Sequence, residues 1–203
     1  MIEEKTLVPS QITRNLNTVF SGFINPELIV SAWEIDRGET VADLGCGGGY
    51  FSLALARAVK EEGKVYAIDV REASIEAVSS RAFMEKLDNI KAVKVDLEKK
   101  GALKKVIKNG ECSFVLLANT LYTSKHKNRL IDEGVRILAK GGRLVIVEWV
   151  KRYQGMVIKN FGPENEARLD QNDILKLVKG QGLSLLESFP AGNYHFGMVF
   201  VKK

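Results

Sequence analysis

Cysteine is scarce in this chain, which contains only Cys46 and Cys112 among its 203 residues. These two positions do not have the spacing of metal ligands, so the sequence predicts no metal site. An unpaired cysteine usually behaves as a small apolar side chain, and we expect both thiols to be free and buried. The low cysteine content also agrees with a cytoplasmic protein.

Long apolar runs are missing as well. None approaches the roughly 20 residues that a membrane-spanning helix needs. The first five residues, MIEEK, lack the basic start and apolar run of a signal peptide. We therefore expect a cytoplasmic protein without a membrane partner. No linker, internal repeat or low-complexity tract divides the chain, and its length favours a single domain over residues 1–203.

The charge of the chain is mildly basic. The formal net charge is +5, and the isoelectric point is about 9.1. Basic residues concentrate around 99–108 and 125–129. Such runs are typical of a solvated helix face, and nucleic-acid binding would require them to cluster on one surface. Charge alone therefore leaves a nucleic-acid partner possible but unsupported.

Glycine, in contrast, is concentrated in one short segment. An apolar stretch ends in Asp43, and four glycines then fall between Gly45 and Gly49. An apolar-periodic stretch starts at Phe51. This pattern predicts a strand, a tight turn and the start of a helix. Because glycine has no Cβ, we expect the turn to bring bare backbone N–H groups and a helix N-terminus up to a ligand.

Short apolar strands alternate with helical segments along the rest of the chain. Strands are predicted at 41–44, 64–70, 90–95, 113–118, 143–149, 183–189 and 195–201. Helices are predicted at 51–60, 73–86, 103–108, 127–138 and 171–179, with apolar-periodic segments at 12–20 and 28–35 before them. This order predicts an α/β three-layer sandwich with a mostly parallel seven-stranded sheet. The short connection between the last two strands predicts that they pair antiparallel.

Two common nucleotide-binding motifs do not fit the glycine-rich turn. The dinucleotide fingerprint G-x-G-x-x-G needs a third glycine, and Tyr50 or Ser52 stands at that position here. A phosphate-binding P-loop is excluded too, because no Gly-Lys-Ser/Thr follows.

The pattern Asp43-x-Gly45-x-Gly47-x-Gly49 resembles motif I of the class I S-adenosylmethionine-dependent methyltransferases. Further segments are similar to later motifs of that family and follow in the family's order, at residues 65–69, 94–97, 113–119 and 136–144. The resemblance covers roughly residues 38–150. It implies the class I methyltransferase fold, with S-adenosyl-L-methionine as cofactor. We accordingly divide the domain into an N-terminal helical cap (1–37), a cofactor-binding core (38–150) and a C-terminal part (151–203) with a substrate-side helix and the antiparallel strands.

The resemblance also implies which residues bind the cofactor. Asp43 orients the glycine loop and approaches the methionine amino group through the loop or a water, unless it merely caps the turn. Asp69 takes both ribose hydroxyls, since one carboxylate can accept two hydrogen bonds from a vicinal diol. Asp96 meets the adenine amino group. The remaining cofactor-binding candidates are Gly45, Cys46, Gly47, Gly49, Val70, Leu97 and Asn119.

Catalytic residues are expected at the ends of strands four and five. A sulfonium methyl is already activated, so alignment of the reactants is the main task, with proton removal in some cases. Tyr122 could face the sulfonium by cation–π attraction or simply pack. Glu148 could act as a base or as a structural ion-pair partner of Arg143 or Lys151. His126 is the third candidate, with a solvated surface position as its alternative.

Several acceptor classes lack their motifs in this sequence. The Asn/Asp-Pro-Pro-Tyr motif of base amino-group methylation is absent, as are the Pro-Cys and Thr-Cys pairs of cytosine C5 chemistry. The acidic metal cluster of catechol-type enzymes is not evident either. A small-molecule acceptor, as in the small-molecule and quinone-type group, is the preferred interpretation. The alternatives are an RNA or protein methyltransferase and a cofactor-binding module without enzymatic activity.

Overall fold

The computed structural model describes residues 23–152 and 161–203. The predicted apolar-periodic segment at 12–20 lies outside this range. The helices are α1 (Pro26–Ala32), α2 (Tyr50–Val59), α3 (Glu72–Met84), α4 (Lys127–Ile137) and α5 (Gln171–Val178). The strands are β1 (Thr40–Leu44), β2 (Lys64–Asp69), β3 (Ile90–Lys94), β4 (Cys112–Ala118), β5 (Leu138–Trp149), β6 (Leu183–Pro190) and β7 (His195–Lys202).

The seven strands form one sheet in the order β3-β2-β1-β4-β5-β7-β6. Strands β1 to β5 pair in parallel. Strand β7 pairs antiparallel with both β5 and β6. The predicted mostly parallel sheet with antiparallel pairing of the last two strands is therefore confirmed. The carboxyl ends of β1, β2, β4 and β5 consequently meet at one edge, which is where ligands of such sheets bind.

Helices cover both faces of the sheet and bury three apolar clusters, of which the two larger ones lie against the central strands. On one face, α1 and α2 pack against β1, β4 and β5, and the buried ring of Trp33 lies between Phe51 and Phe114. On the other face, α4 and α5 pack against the same central strands. Asn25 is the N-cap residue just before helix α1, and its side chain accepts hydrogen bonds from two N–H groups of the first turn. In the part of the chain that the structure describes, no helix has both the length and the apolar character to cross a membrane.

Residues 103–108 do not form the predicted helix. They form successive turns instead, with hydrogen bonds three or four residues apart. A helix this short is marginal on its own. Here the side chain of Glu133 accepts the N–H of Leu103, and Leu103 and Ile107 still reach the core. The helix predicted at 103–108 is therefore wrong, although two of its apolar side chains are buried.

The boundary between α4 and β5 also differs from the prediction. Helix α4 ends at Ile137, and the strand already begins at Leu138, which pairs with Cys112. The pairing register shifts between Cys112 and Phe114. Gly141, which lies in the same part of β5, adopts a left-handed backbone conformation with φ of 75°. The glycines at 141 and 142 therefore lie inside the assigned strand, whereas the sequence prediction left them between a helix at 127–138 and a strand at 143–149.

Candidate active site

A cleft of about 430 Å³ opens at the carboxyl edge of the parallel strands. A volume of this size lies in the range of small-molecule and cofactor sites. Seven of the residues predicted from the sequence lie on its wall, namely Gly45, Asp69, Val70, Asp96, Leu97, Asn119 and Tyr122. They come from the ends of four neighbouring strands, which explains why separate motifs meet at one place.

The glycine-rich turn is held by backbone hydrogen bonds, both to strand β2 and within the turn. The N–H groups of Gly45 and Cys46 both donate to the carbonyl of Ile68, and the N–H of Gly49 donates to the carbonyl of Cys46. The N–H groups of Gly45, Cys46 and Gly49 therefore bond to β2 or within the turn, which departs at these three residues from the prediction that the N–H groups of the turn face a ligand. Gly47, Gly49 and Cys46 lie in this turn and support the cleft without being part of its wall.

Gly45 lies on the cleft wall and fits there because it has no side chain. Its φ is +83°, and a Cβ at this position would lie 2.5 Å from two side-chain atoms of Thr120. Thr120 belongs to the loop after β4, and its hydroxyl donates to the carbonyls of Leu44 and Ala118. The turn after β1 and the loop after β4 are thus packed directly against each other.

Asp69, at the end of β2, is the most strongly held group of the cleft. Its Oδ2 accepts the N–H of Gly47 at 2.9 Å, and its Oδ1 accepts the N–H of Arg71 at 2.9 Å. The Arg71 guanidinium donates to the same carboxylate at 3.2 Å. Burial raises the pKa of Asp69, but the bonds from Arg71 and Gly47 outweigh it and hold that pKa below its usual value. The group is therefore an anion whose position is fixed before any ligand binds.

Asp43 does not reach the cleft. It is buried beneath the turn, where its carboxylate accepts the hydroxyl of Ser52 at 2.6 Å. Burial raises the pKa of Asp43 to about 6, and the bond from Ser52 opposes the rise. Its contact to the first turn of α2 supports the prediction that it orients the glycine loop. A direct approach to a ligand is not part of this geometry.

The other end of the cleft follows β3. The N–H of Glu98 donates to Oδ1 of Asp96 at 3.0 Å, which fixes that side chain in a tight turn. Leu97 is buried beside it, while Val70 is half exposed across the cleft. Two apolar side chains and a carboxylate thus frame this end, as a flat heterocycle with an amino group would require.

Asn119 and Tyr122 form the wall that follows β4. Asn119 adopts φ of 53°, a left-handed conformation that asparagine tolerates better than most residues. Its Nδ2 lies 3.2 Å from Nε2 of His195. Tyr122 sits in a short 3₁₀ turn, and burial together with the charge of Glu148 raises the pKa of its hydroxyl.

Glu148 lies behind this wall rather than on it. It is fully buried at the end of β5, and its Oε1 accepts the N–H groups of Thr120 and Leu121 at 3.2 and 2.8 Å. Its Oε2 has no hydrogen-bond partner among the described residues. Burial raises the pKa of Glu148 to about 7, against the opposing bonds from the loop. The carboxylate thus holds the loop that carries Tyr122.

His126 lies apart from these residues. It is exposed, precedes the first residue of α4, and is not on the wall of the cleft.

The two cysteines are free and buried, as expected. No group of side chains suited to hold a metal ion occurs within residues 23–152 and 161–203.

Sequence reasoning missed several residues on the cleft wall. Arg71 pairs with Asp69, and Glu98 accepts the hydroxyl of Ser124 at 2.7 Å and the N–H of Lys125 at 2.8 Å. Arg71 and Glu98 both follow closely after the end of a predicted strand, and this position could have indicated that they line the cleft. Nothing in the local pattern shows that the loops after β3 and β4 are joined through Glu98.

Comparison with known proteins identifies the family. The model of a family described as methyltransferase domain matches residues 35–181, which is more than half of the chain. The chain therefore belongs to the methyltransferase domain family. Its sheet and helices have the class I methyltransferase fold, and the cofactor of this class is S-adenosylmethionine, as the sequence resemblance implied.

Solved structures and a curated relative add detail. A SAM-dependent methyltransferase from Aquifex aeolicus is 23% identical, with 97% of this chain and 99% of that chain covered and a TM-score of 0.78. A protein described as a type 11 methyltransferase from Sulfolobus solfataricus is 25% identical, with coverages of 90% and 94% and a TM-score of 0.69. The 23S rRNA (uracil(1939)-C(5))-methyltransferase RlmD of Acinetobacter baylyi is 32% identical over 96 residues, which are 42% of this chain and 21% of that protein. The chain spans about a third or less of the length of the curated relatives it matches.

Proposed function

We infer that the chain binds S-adenosylmethionine in the cleft and transfers its methyl group to a small-molecule acceptor. The observation that carries this proposal is the acidic character of the cleft wall, where Asp69, Asp96 and Glu98 face a single basic residue, Arg71. Such a wall attracts a cationic sulfonium compound and repels a polyanion.

The residues on the wall fit the cofactor. The fixed carboxylate of Asp69 suits a ribose diol, because each of its oxygens keeps a further lone pair beside the bonds it already accepts. Val70, Leu97 and Asp96 suit an adenine ring with its amino group. Gly45 has no side chain, so at this point of the wall the protein backbone itself would lie next to the methionine part of the cofactor.

Bound S-adenosylmethionine supplies an activated methyl group on a sulfonium sulfur. The chain's own contribution is alignment, which can supply several kcal/mol. Glu148 fixes the loop over residues 120–122, so that Tyr122 and Asn119 hold their places on the wall beside that methyl group. The buried carboxylate acts through this loop, and we assign it a positioning role instead of direct contact with the acceptor.

Calorimetric titration with S-adenosylhomocysteine tests the cofactor part of this proposal. We expect one site per chain and weaker binding when Asp69 is replaced. Incubation with methyl-labelled S-adenosylmethionine and either a low-molecular-weight cell extract or purified ribosomal RNA tests the acceptor. Label in small molecules supports the proposal. Absence of cofactor binding contradicts it, and binding without label transfer to any acceptor would favour a module that has lost activity.

RNA is the second acceptor class, because one relative acts on 23S rRNA. The basic segment at the start of α4 is the surface that such an acceptor would use. Two of its cations, however, already bond to the chain itself: Lys127 Nζ donates to the Ser124 carbonyl, and Arg129 donates to the Glu98 carbonyl. RNA binding that weakens steeply with salt would support this alternative over the small molecule.

A further inference from the structure

Three buried polar atoms without hydrogen-bond partners among the described residues lie close together where β4, β5 and β7 meet. They are Oδ1 of Asn119, Nε1 of Trp149 and Nδ1 of His195. Trp149 and His195 are paired in the sheet, and their rings lie 4.1 Å apart. Asn119 reaches the same His195 ring through its Nδ2. Unsatisfied buried polar groups are rare in folded proteins, so such a cluster indicates a missing partner.

This cluster is continuous with the cleft but separate from Glu148. Asn119 lies on the cleft wall. Glu148 precedes Trp149 in β5, so the two side chains point to opposite faces of the sheet. Glu148 accordingly bonds to the loop at Thr120 and Leu121, whereas Trp149 lies against His195. Trp149 and His195 therefore lie apart from the Glu148 carboxylate, and Asn119 connects them to the cleft.

The hydrogen-bonding capacity of the cluster is set by the His195 ring. His195 is 2% exposed, and burial lowers its pKa to about 4, so its imidazole is neutral near pH 7. With the Asn119 amide donating to Nε2, the ring proton lies on Nδ1. The cluster then offers two donors, from Trp149 and His195, and one acceptor, from Asn119. If the Asn119 amide is turned around, its oxygen accepts a hydrogen bond from Nε2 of His195. The free donors are then Nδ2 of Asn119 and Nε1 of Trp149, and the free acceptor is Nδ1 of His195.

Three further aromatic rings form a cluster that includes Tyr194, the neighbour of His195 in the chain. The rings of Phe23, Phe161 and Tyr194 contact one another, with centroids 5.0 to 5.6 Å apart. Tyr194 immediately precedes His195, and its carbonyl accepts the N–H of Val150 next to Trp149. The backbone of Tyr194 is therefore held next to the end of β5 that carries Trp149.

The segment after Phe161 is held against the same tryptophan. A Cβ on Gly162 would lie 2.6 Å from the Trp149 ring. The buried guanidinium of Arg168 donates to the carbonyls of Val150, Phe161 and Pro163, and lies 5.5 Å from the Trp149 ring. These bonds tie the segment to the end of β5, so the fold fixes the position of Phe161 and Gly162 relative to Trp149.

We propose that Asn119, Trp149 and His195 form the acceptor subsite and that it takes a planar ring compound carrying a hydroxyl group, as in a phenol or enol. The proposal rests on the proposed function, since it places the methyl acceptor beside the cofactor cleft. A hydroxyl offers one donor and two lone pairs, which is the complement of the three atoms. A site that hydrogen-bonds a hydroxyl discriminates strongly against analogues that lack it.

The two histidines of the chain make the proposal testable by NMR. Protein labelled with ¹⁵N in its histidines and saturated with S-adenosylhomocysteine is titrated with phenol, toluene and cyclohexanol. These compounds offer ring and hydroxyl, ring alone, and hydroxyl alone. We expect phenol to shift the His195 ring nitrogens with binding at least about tenfold tighter than the other two. The exposed His126 serves as the internal control and keeps its resonances.

A variant separates recognition from packing. His195→Phe keeps a flat ring but removes both nitrogens, and we expect phenol binding to weaken at least about tenfold while affinity for S-adenosylhomocysteine changes less than about twofold. The wild-type titration decides the question even where this variant does not fold. Equal binding of toluene and phenol would overturn the subsite alone, and so would His195 ring-nitrogen resonances that do not shift when phenol is added. Absence of S-adenosylhomocysteine binding would overturn the proposed function and the subsite with it.

Discussion

The main-chain N–H of Gly47 donates a 2.9 Å hydrogen bond to Oδ2 of Asp69, 22 residues further along the chain. This bond joins the glycine-rich turn after β1 to the acid that ends β2. The sequence suggested that the turn offers its N–H groups to the ligand. In the structure the turn fixes the carboxylate that faces the ligand, so the two motifs act as one unit.

Replacement of Asp69 by Asn tests this unit. Asn keeps the shape of the side chain but removes the charge and one acceptor oxygen. Hydrogen bonds to charged groups contribute about 1.5–3 kcal/mol, so we expect S-adenosylhomocysteine to bind about 10- to 100-fold more weakly in calorimetric titration. Asp88→Asn, on an exposed residue after α3, is the matched control and should keep the wild-type affinity. Equal affinities of the two variants would show that Asp69 does not bind the cofactor.

The cleft could be predicted largely because its residues follow strand ends. Asp69 ends β2, while Asp96 and Asn119 follow shortly after β3 and β4, and the carboxyl ends of neighbouring parallel strands must meet. The sheet was predicted for a similar reason, because strand-helix alternation restricts the topology strongly. These inferences need only local patterns and general rules of connection.

Long-range polar contacts could not be predicted in the same way. Asn119 and His195 are 76 residues apart, and their contact depends on where the antiparallel β7 is placed. The turn at 103–108 depends on the Glu133 carboxylate, 30 residues further along the chain from the N–H of Leu103 that it accepts. A side chain that replaces a local hydrogen bond leaves no periodic signal in the sequence.

Gly45→Ala tests the close approach between the glycine turn and Thr120. The substitution meets both a positive φ and a clash at 2.5 Å. Gly180→Ala is the matched control, since it has φ of +81° with nothing within 4 Å. A left-handed alanine costs about 1–2 kcal/mol at either site, and the clash adds to this only at Gly45.

Urea unfolding and S-adenosylhomocysteine titration together measure this effect. We expect Gly45→Ala to be the less stable variant and the only one with weakened binding. Adding Thr120→Ala to Gly45→Ala removes the two atoms at 2.5 Å, keeps the Thr120 Cβ at 3.0 Å, and should restore part of both losses. Identical behaviour of the two glycine variants would indicate that only the backbone conformation matters at Gly45.

Ser52→Ala tests the bond that holds Asp43 beneath the turn. The substitution leaves a buried carboxylate without its 2.6 Å hydroxyl donor. We expect a loss of about 1–3 kcal/mol in the free energy of unfolding, measured with urea, and a further rise in the pKa of Asp43. Ser80→Ala on the exposed face of α3 should stay within about 0.5 kcal/mol of wild type. A Ser52 variant as stable as the Ser80 variant would contradict this role.

Glu148→Gln tests the buried carboxyl behind the cleft through the pH dependence of stability. Burial raises its pKa from 4.5 to about 7, so the unfolded chain loses this proton at lower pH than the folded chain does. Between these values the folded state binds more protons, and stability falls as the pH rises. The wild type should therefore lose up to ~3 kcal/mol relative to Glu148→Gln between about pH 4.5 and pH 7.5.

Urea unfolding of both proteins across this pH range measures the difference directly. Asp43 also has a raised pKa, but it is present in both proteins, and its contribution cancels in the comparison. Glu76→Gln, an exposed acid on α3, is the control and should follow the wild-type curve. Parallel curves for wild type and Glu148→Gln would mean that Glu148 is already ionised in the folded state at acidic pH. The two N–H groups of the 120–121 loop would then be sufficient to stabilise its charge despite burial, and its unpartnered oxygen would have to reach solvent.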